Sequence, residues 1–187
     1  YYDAEYIDVV EDAIFATDTI IKYRSSDKLW YSEVEYSAHN VPDYILQAFY
    51  TAKQASSKAK LGYVEFGVMN NTLKFQYMVN MIQAMKDQVD PISPDYVSLT
   101  DQLYVGWTEL YRTFVGINQL GIMGVKTHLA PYGVVVHSND VSSATNLITT
   151  SFSSNGQAYI YATLLKACLV NSHCEAFQIE APFDRRN

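Results

Sequence analysis

The chain has 187 residues, of which 49% are hydrophobic and only 18% charged, and its net charge is −7. That length supports one full hydrophobic core, and the acidic balance works against nucleic acid and anionic lipid. The longest apolar run, Tyr159 to Val170, is broken by Lys166 and falls short of the ~18 residues of a membrane span.

In chain order, Asp3 to Arg24 shows a helical period. Ala4, Ile7, Val10, Ile14, Thr17 and Ile21 form one stripe. Acidic residues load its start, and Lys22 and Arg24 sit at its end, as the helix dipole favours. Ser25-Ser26-Asp27 is a break, and Leu29 to Ala38 is a short segment with Trp30, Tyr31 and Tyr36. Asn40 is the expected cap of a second helix, with Pro42 in its first turn. Its expected buried face runs from Ile45 and Phe49 to Tyr63 and Phe66.

Asn70-Asn71 separates this helix from a third over Thr72 to Gln88, with Met78, Met81, Ile82, Met85 and Val89 inward. Ser93-Pro94-Asp95 opens a fourth, with Leu103, Trp107, Leu110, Phe114 and Ile117 on one face and Gly121 as C-cap. Gly124, Pro131 and Gly133 then punctuate the chain, and Val134-Val135-Val136 fits a short strand or a buried extended segment. Helical spacing returns at Val141 to Phe152, and a last helix covers Gln157 to Val170. The expected fold is all-α: an irregular bundle of about five long helices with a Gly/Pro-punctuated crossover before the last two. Residues 1–180 form the expected single domain and 181–187 an extended or disordered tail.

Few residue patterns point to chemistry. Cys168 and Cys174 are the only cysteines. Six residues of unbroken helix rise ~9 Å, beyond the ~7 Å a disulfide tolerates, so a bridge requires the helix to stop at Asn171-Ser172. The alternative is two free buried thiols. Asn70-Asn71-Thr72 is an N-glycosylation acceptor, which places Asn70 on an exposed turn. Together with the paired cysteines, and with Tyr1 standing where a removed leader or a truncated chain would leave it, this reads as a secreted or extracellular glycoprotein.

His173 lies between the cysteines with no fourth zinc ligand nearby, and Glu35 and His39 form only half a metal site. No metal and no cofactor are expected. No nucleotide loop or nucleophile elbow occurs. Glu65 and Glu109 lie in apolar stretches; as facing carboxylates they would suit acid and base roles, but the solvated side of a helix is the preferred reading. Met78, Met81, Met85 and Met123 with Trp107 are the candidate lining of an apolar pocket for a small hydrophobic ligand, with ordinary core filling as the alternative.

The stretch Thr127-His128-Leu129-Ala130-Pro131 through His137 to Ile148 resembles the light chain of insect silk fibroin. The resemblance implies a secreted, helical, disulfide-containing structural partner, and no site is carried over from it.

The 16 Tyr against 8 Phe and 2 Trp are more than a core needs. Tyr gives a contact both apolar area and a hydroxyl. Tyr1, Tyr2, Tyr31, Tyr36, Tyr132 and Tyr159 are the candidate interface. The expected function is therefore non-catalytic association with itself or another protein. A carrier of a small apolar ligand is the second reading, and an enzyme of unknown type the third.

Overall fold

The computed structural model describes residues 4–17, 20–24, 41–104, 110–135 and 156–179. These residues form a mixed α/β structure, which overturns the all-α bundle. Over residues 4–17 and 20–24 strands stand where the first helix was expected. Tyr6–Glu11 forms β1, and Ile14–Ala16 and Ile21–Tyr23 form the antiparallel pair β2 and β3. The segment is dense in β-branched residues, which lose side-chain freedom in a helix and pack well on a pleated surface.

Helix α1, Asp43–Ala55, buries Ile45, Leu46 and Phe49 and starts at Pro42. It ends at Ser56, and the region expected to continue it is strand β4, Lys60–Phe66. Helix α2, Thr72–Lys86, lies where its spacing put it, and the Asn71 side chain accepts the Lys74 N–H at 2.9 Å to cap it. Strand β5, Tyr96–Tyr104, replaces the first half of the expected fourth helix; helix α3 follows at Leu110–Ile122. Gly121 lies inside α3. Gly124, at φ 76°, is the left-handed residue that closes it. Strand β6 runs Lys126–Val135, far longer than the three valines that announced it. Helix α4, Gln157–Leu169, and strand β7, Cys174–Phe177, complete the described chain. The expected helix at 141–152 and the tail at 181–187 lie outside the described residues.

Strands β1, β4, β5, β6 and β7 form one parallel sheet in that spatial order. With the β2–β3 pair set aside, this is simply sequence order. Parallel neighbours joined by helical crossovers of one hand put every helix on the same face. The result is a singly wound sheet, the wall of a (β/α) barrel. Inside-facing and outside-facing residues alternate along each strand. Leu61, Tyr63, Val97, Leu99 and Leu129 face the helices and join Phe49, Met78, Ile82, Met85, Ile117 and Leu164 in the core. The residues between them, among them Gly62, Val64, Tyr96, Ser98, His128 and Ala130, line the opposite, concave face.

Candidate active site

All five parallel strands end on the same side, where barrel folds place their reacting groups. A cleft of about 420 Å³ opens there on the concave face. Its walls are Asp8 and Glu11 from β1, Ser98 and Thr100 from β5, Ala130 from β6 and Gln178 just beyond β7, with Val64 of β4 between them.

A bulge in β1 decides which carboxylates reach this cleft. Asp8 pairs with Gly62 and Val10 with Tyr63, so Val9 is the extra residue. Without it, Asp8 would share a face with Val10 and Asp12. With it, the alternation shifts by one, and Asp8 and Glu11 both line the cleft. Glu11 is exposed and its carboxylate makes no hydrogen bond among the described residues. Asp8 is committed, accepting the Tyr96 hydroxyl at 2.7 Å.

Asp12 turns the other way. Its backbone sits at φ 50°, the left-handed region that aspartate tolerates better than most residues. Its carboxylate pairs with Arg24 and lies 3.3 Å from Lys74 Nζ. Lys74 in turn lies 2.7 Å from Oε1 of Glu65 and donates to the Phe66 carbonyl at 2.5 Å. Glu65 is fully buried, which corrects its placement on a solvated helix face. Its Oε2 accepts the Tyr63 hydroxyl and, at 3.3 Å, the Ile14 N–H. Its Oε1 accepts no hydrogen bond of good geometry, although Lys74 Nζ approaches it at 2.7 Å. Burial pushes the Glu65 carboxyl up to about 7, against the opposing pull of Lys74.

Beneath the cleft, the concave face is closed by a layer of rings and charged groups packed against one another. Tyr96 stacks on His128 with ring centroids 4.1 Å apart, and Tyr6 meets both rings edge-on. Lys60 sits over the Tyr6 ring and bridges to Glu175 at 2.6 Å. That bridge holds the Glu175 carboxyl below its usual range. Burial lowers the His128 pKa; its Nε2 lies 3.5 Å from Glu175, too far for a good hydrogen bond. Gly62 makes room for Tyr96, because a Cβ there would lie 2.2 Å from the ring.

The sequence-picked residues fall elsewhere. Met78, Met81 and Met85 are fully buried core residues of α2, Met123 packs against the core, and Trp107 lies outside the described residues. An apolar cavity of about 140 Å³ between α2 and α3 is lined instead by residues that include Met69, Phe75 and Val115. Tyr1, Tyr2, Tyr31 and Tyr36 lie outside the described residues, Tyr132 lies in β6, and Tyr159 is half-buried on α4. Glu35, His39 and Glu109 also lie outside them. Among the described residues no group of three metal-ligating side chains converges, and no helix is long and apolar enough to cross a membrane. Cys168 and Cys174 are bonded to each other, joining the end of α4 to the start of β7. Asn70 is exposed at the cleft side of the sheet, between β4 and α2, and its amide donates to Asp101 at 2.8 Å. Burial pushes the Asp101 carboxyl up to about 6, against the hydrogen bonds from Asn70.

A barrel wall with a carboxylate-bearing cleft at its strand ends places the protein in the (β/α) class of folds, whose enzymes react at that end of the sheet. The glycosyl hydrolase family 10 model matches residues 2–184, and the chain belongs to that family. This overturns the expected non-catalytic role and supersedes the silk-protein resemblance, whose residues 127–131 lie in β6. The chain is 29% identical over 176 residues to endo-1,4-beta-xylanase B of Neocallimastix patriciarum, covering 92% of this chain and 17% of that protein. Xylanase 10B of Thermotoga petrophila RKU-1, solved in complex with xylobiose, superposes with a TM-score of 0.71 at 20% identity, over 94% of this chain and 47% of that one. A family 10 structure from Paenibacillus barcinonensis gives 0.73 at 18%, over 94% and 50%. The chain thus spans about half the length of these two solved structures and less than a fifth of the Neocallimastix protein. Xylanases of this family are typically secreted.

Proposed function

We propose that the protein hydrolyses β-1,4-linked xylan, with the sugar chain lying across the strand ends and Glu11 supplying one of the two carboxylates the reaction needs. In glycoside hydrolysis one carboxyl protonates the departing glycosidic oxygen as the C1–O bond breaks. The other attacks C1 or activates the water that adds there. Glu11 is the observation that carries the reading: an exposed carboxylate with no hydrogen bond among the described residues, on a cleft at the ends of parallel strands, in a chain whose residues 2–184 match a glycosyl hydrolase family. The choice of xylan is supported by the names of the Neocallimastix and Thermotoga relatives. Ser98 and Gln178 offer a hydroxyl and an amide suited to holding sugar hydroxyls. An extracellular setting fits a polymer too large to enter a cell.

Glu11→Gln should lower the rate of xylo-oligosaccharide cleavage by ~10²–10⁴-fold, the usual worth of a positioned acid–base group, with cooperative unfolding retained. Asp12→Asn should act more weakly, because its carboxylate is engaged by Arg24 and Lys74. Cleavage by Glu11→Gln within twofold of the parent would sink the assignment.

A further inference from the structure

We propose that Lys74 is a positioning residue for the end of β1, clamping the turn at Asp12 and so fixing the direction in which Glu11 enters the cleft. The inference rests on the reading of Glu11 as a reacting carboxylate. Lys74 belongs to α2, on the helix side of the sheet, and is not among the residues that line the cleft. It nevertheless joins three points that frame Glu11: Asp12 immediately after it, Glu65 of the neighbouring strand, and the carbonyl of Phe66 where that strand ends. Glu65 extends the clamp by holding the Ile14 N–H. The backbone from 12 to 14 is thereby tied to β4, which Asp12 also meets through its own N–H to the Val64 carbonyl at 2.9 Å.

Stability alone is a poor reason for such a cluster. A buried lysine–carboxyl contact is seldom worth more than well-packed apolar groups of the same shape, and its best-attested use is to specify one geometry. Here that geometry includes a bulge and a left-handed aspartate, two irregularities that a regular strand would lose. Their combined effect is to turn Glu11 toward the cleft and Asp12 away from it. Misplacement of a reacting group by about 1 Å can cost ~10²-fold in rate.

The test is a double-mutant cycle in the intact protein. Lys74→Met combined with Glu65→Gln removes both members of the buried pair, so no lone charge is left to unfold the protein. With Glu11 present, this variant should lose about tenfold or more in kcat while KM on xylohexaose stays within about twofold. In the Glu11→Gln background the same change should cost less than about twofold, because its effect passes through Glu11. Equal losses in both backgrounds would mean general destabilisation and overturn the proposal. Hydrogen exchange gives an independent reading: the amides of Asp12 and Ile14 should exchange faster, while those of β5 stay protected. If Glu11→Gln proves fully active, the functional reading fails and the clamp is judged by exchange alone. Unchanged exchange at Asp12 and Ile14 would then refute it.

Discussion

Replacing Glu65 by glutamine separates two forces that act on one buried carboxyl. Burial disfavours its charged form, and Lys74 at 2.7 Å favours it. Burial wins, raising the carboxyl from 4.5 to about 7. In the unfolded chain it titrates near its ordinary value, so between about pH 4.5 and pH 7 the folded protein holds a proton that the unfolded chain has released. Stability contributed by this group is complete below the unfolded value and declines as pH rises through the folded one. The decline amounts to on the order of 3 kcal/mol. Glutamine has the same shape and no titration, so the variant lacks this slope. Urea unfolding of both proteins from pH 4 to pH 8 should show the variant gaining on the parent as pH rises, with most of the gain between pH 5 and 7. The reasoning fails if the difference is independent of pH. It fails more sharply if the parent gains on the variant as pH rises, since that is the signature of a carboxylate held ionised by Lys74.

Gly62→Ala should destabilise by roughly 1–3 kcal/mol, because its Cβ would lie 2.2–2.5 Å from the Tyr96 ring and Tyr96 is locked between His128 and Asp8. Thermal unfolding checks this, and an unchanged midpoint would show that the aromatic layer is looser than its contacts indicate. Reduction of Cys168–Cys174 should cost only about 2 kcal/mol, because the bond closes a very short loop. A loss of cooperative folding on reduction would show that the bridge holds β7 on the sheet rather than merely stapling its own turn.

Parts of this fold were legible in the sequence, and the parts that misled did so for identifiable reasons. Helix α2 was readable because its cap Asn71 and its methionine stripe agree. The stripe from Ala4 to Ile21 was a coincidence: a strand, a bulge and a hairpin happen to place apolar residues every three or four positions. The better signal was spacing between segments. Strands β4, β5 and β6 start at residues 60, 96 and 126, separations that fit strand–helix–strand units of ~30 residues or more. Lys60 to Phe66, read as the tail of a helix, carries Tyr, Val and Phe after a Ser-Ser break and is better suited to a strand. Glu65 was singled out as a carboxylate in an apolar stretch, but the lysine that makes its burial tolerable lies on the next helix, and nothing in the spacing announces that contact. Glu11 was passed over because a helical reading counted it among the acidic residues loading the start of a helix, as the dipole favours. Even a correct strand reading would have put Asp12, not Glu11, on the face of Asp8, since the bulge at Val9 is set by packing.

The concave face shows why the cleft, rather than the layer beneath it, is where a ligand is read. In the lower layer the polar groups have turned to one another: Tyr96 to Asp8, Lys60 to Glu175, and the His128 ring to two tyrosines. A sugar entering there would have to break contacts as good as those it could offer, and the net exchange of hydrogen bonds would give little. One layer higher, Glu11, Ser98 and Gln178 make no side-chain hydrogen bond among the described residues. A hydroxyl-rich ligand placed against them replaces water without displacing a protein partner, so binding there sacrifices no contact within the protein. The same asymmetry gives the lower layer its own task. By spending its polar groups on itself it becomes a stiff floor, and the buried Lys74 clamp does the same for the wall behind Glu11. A reacting carboxylate needs both: a surface that does not yield when the substrate presses on it, and a backbone that returns the carboxylate to one direction each time.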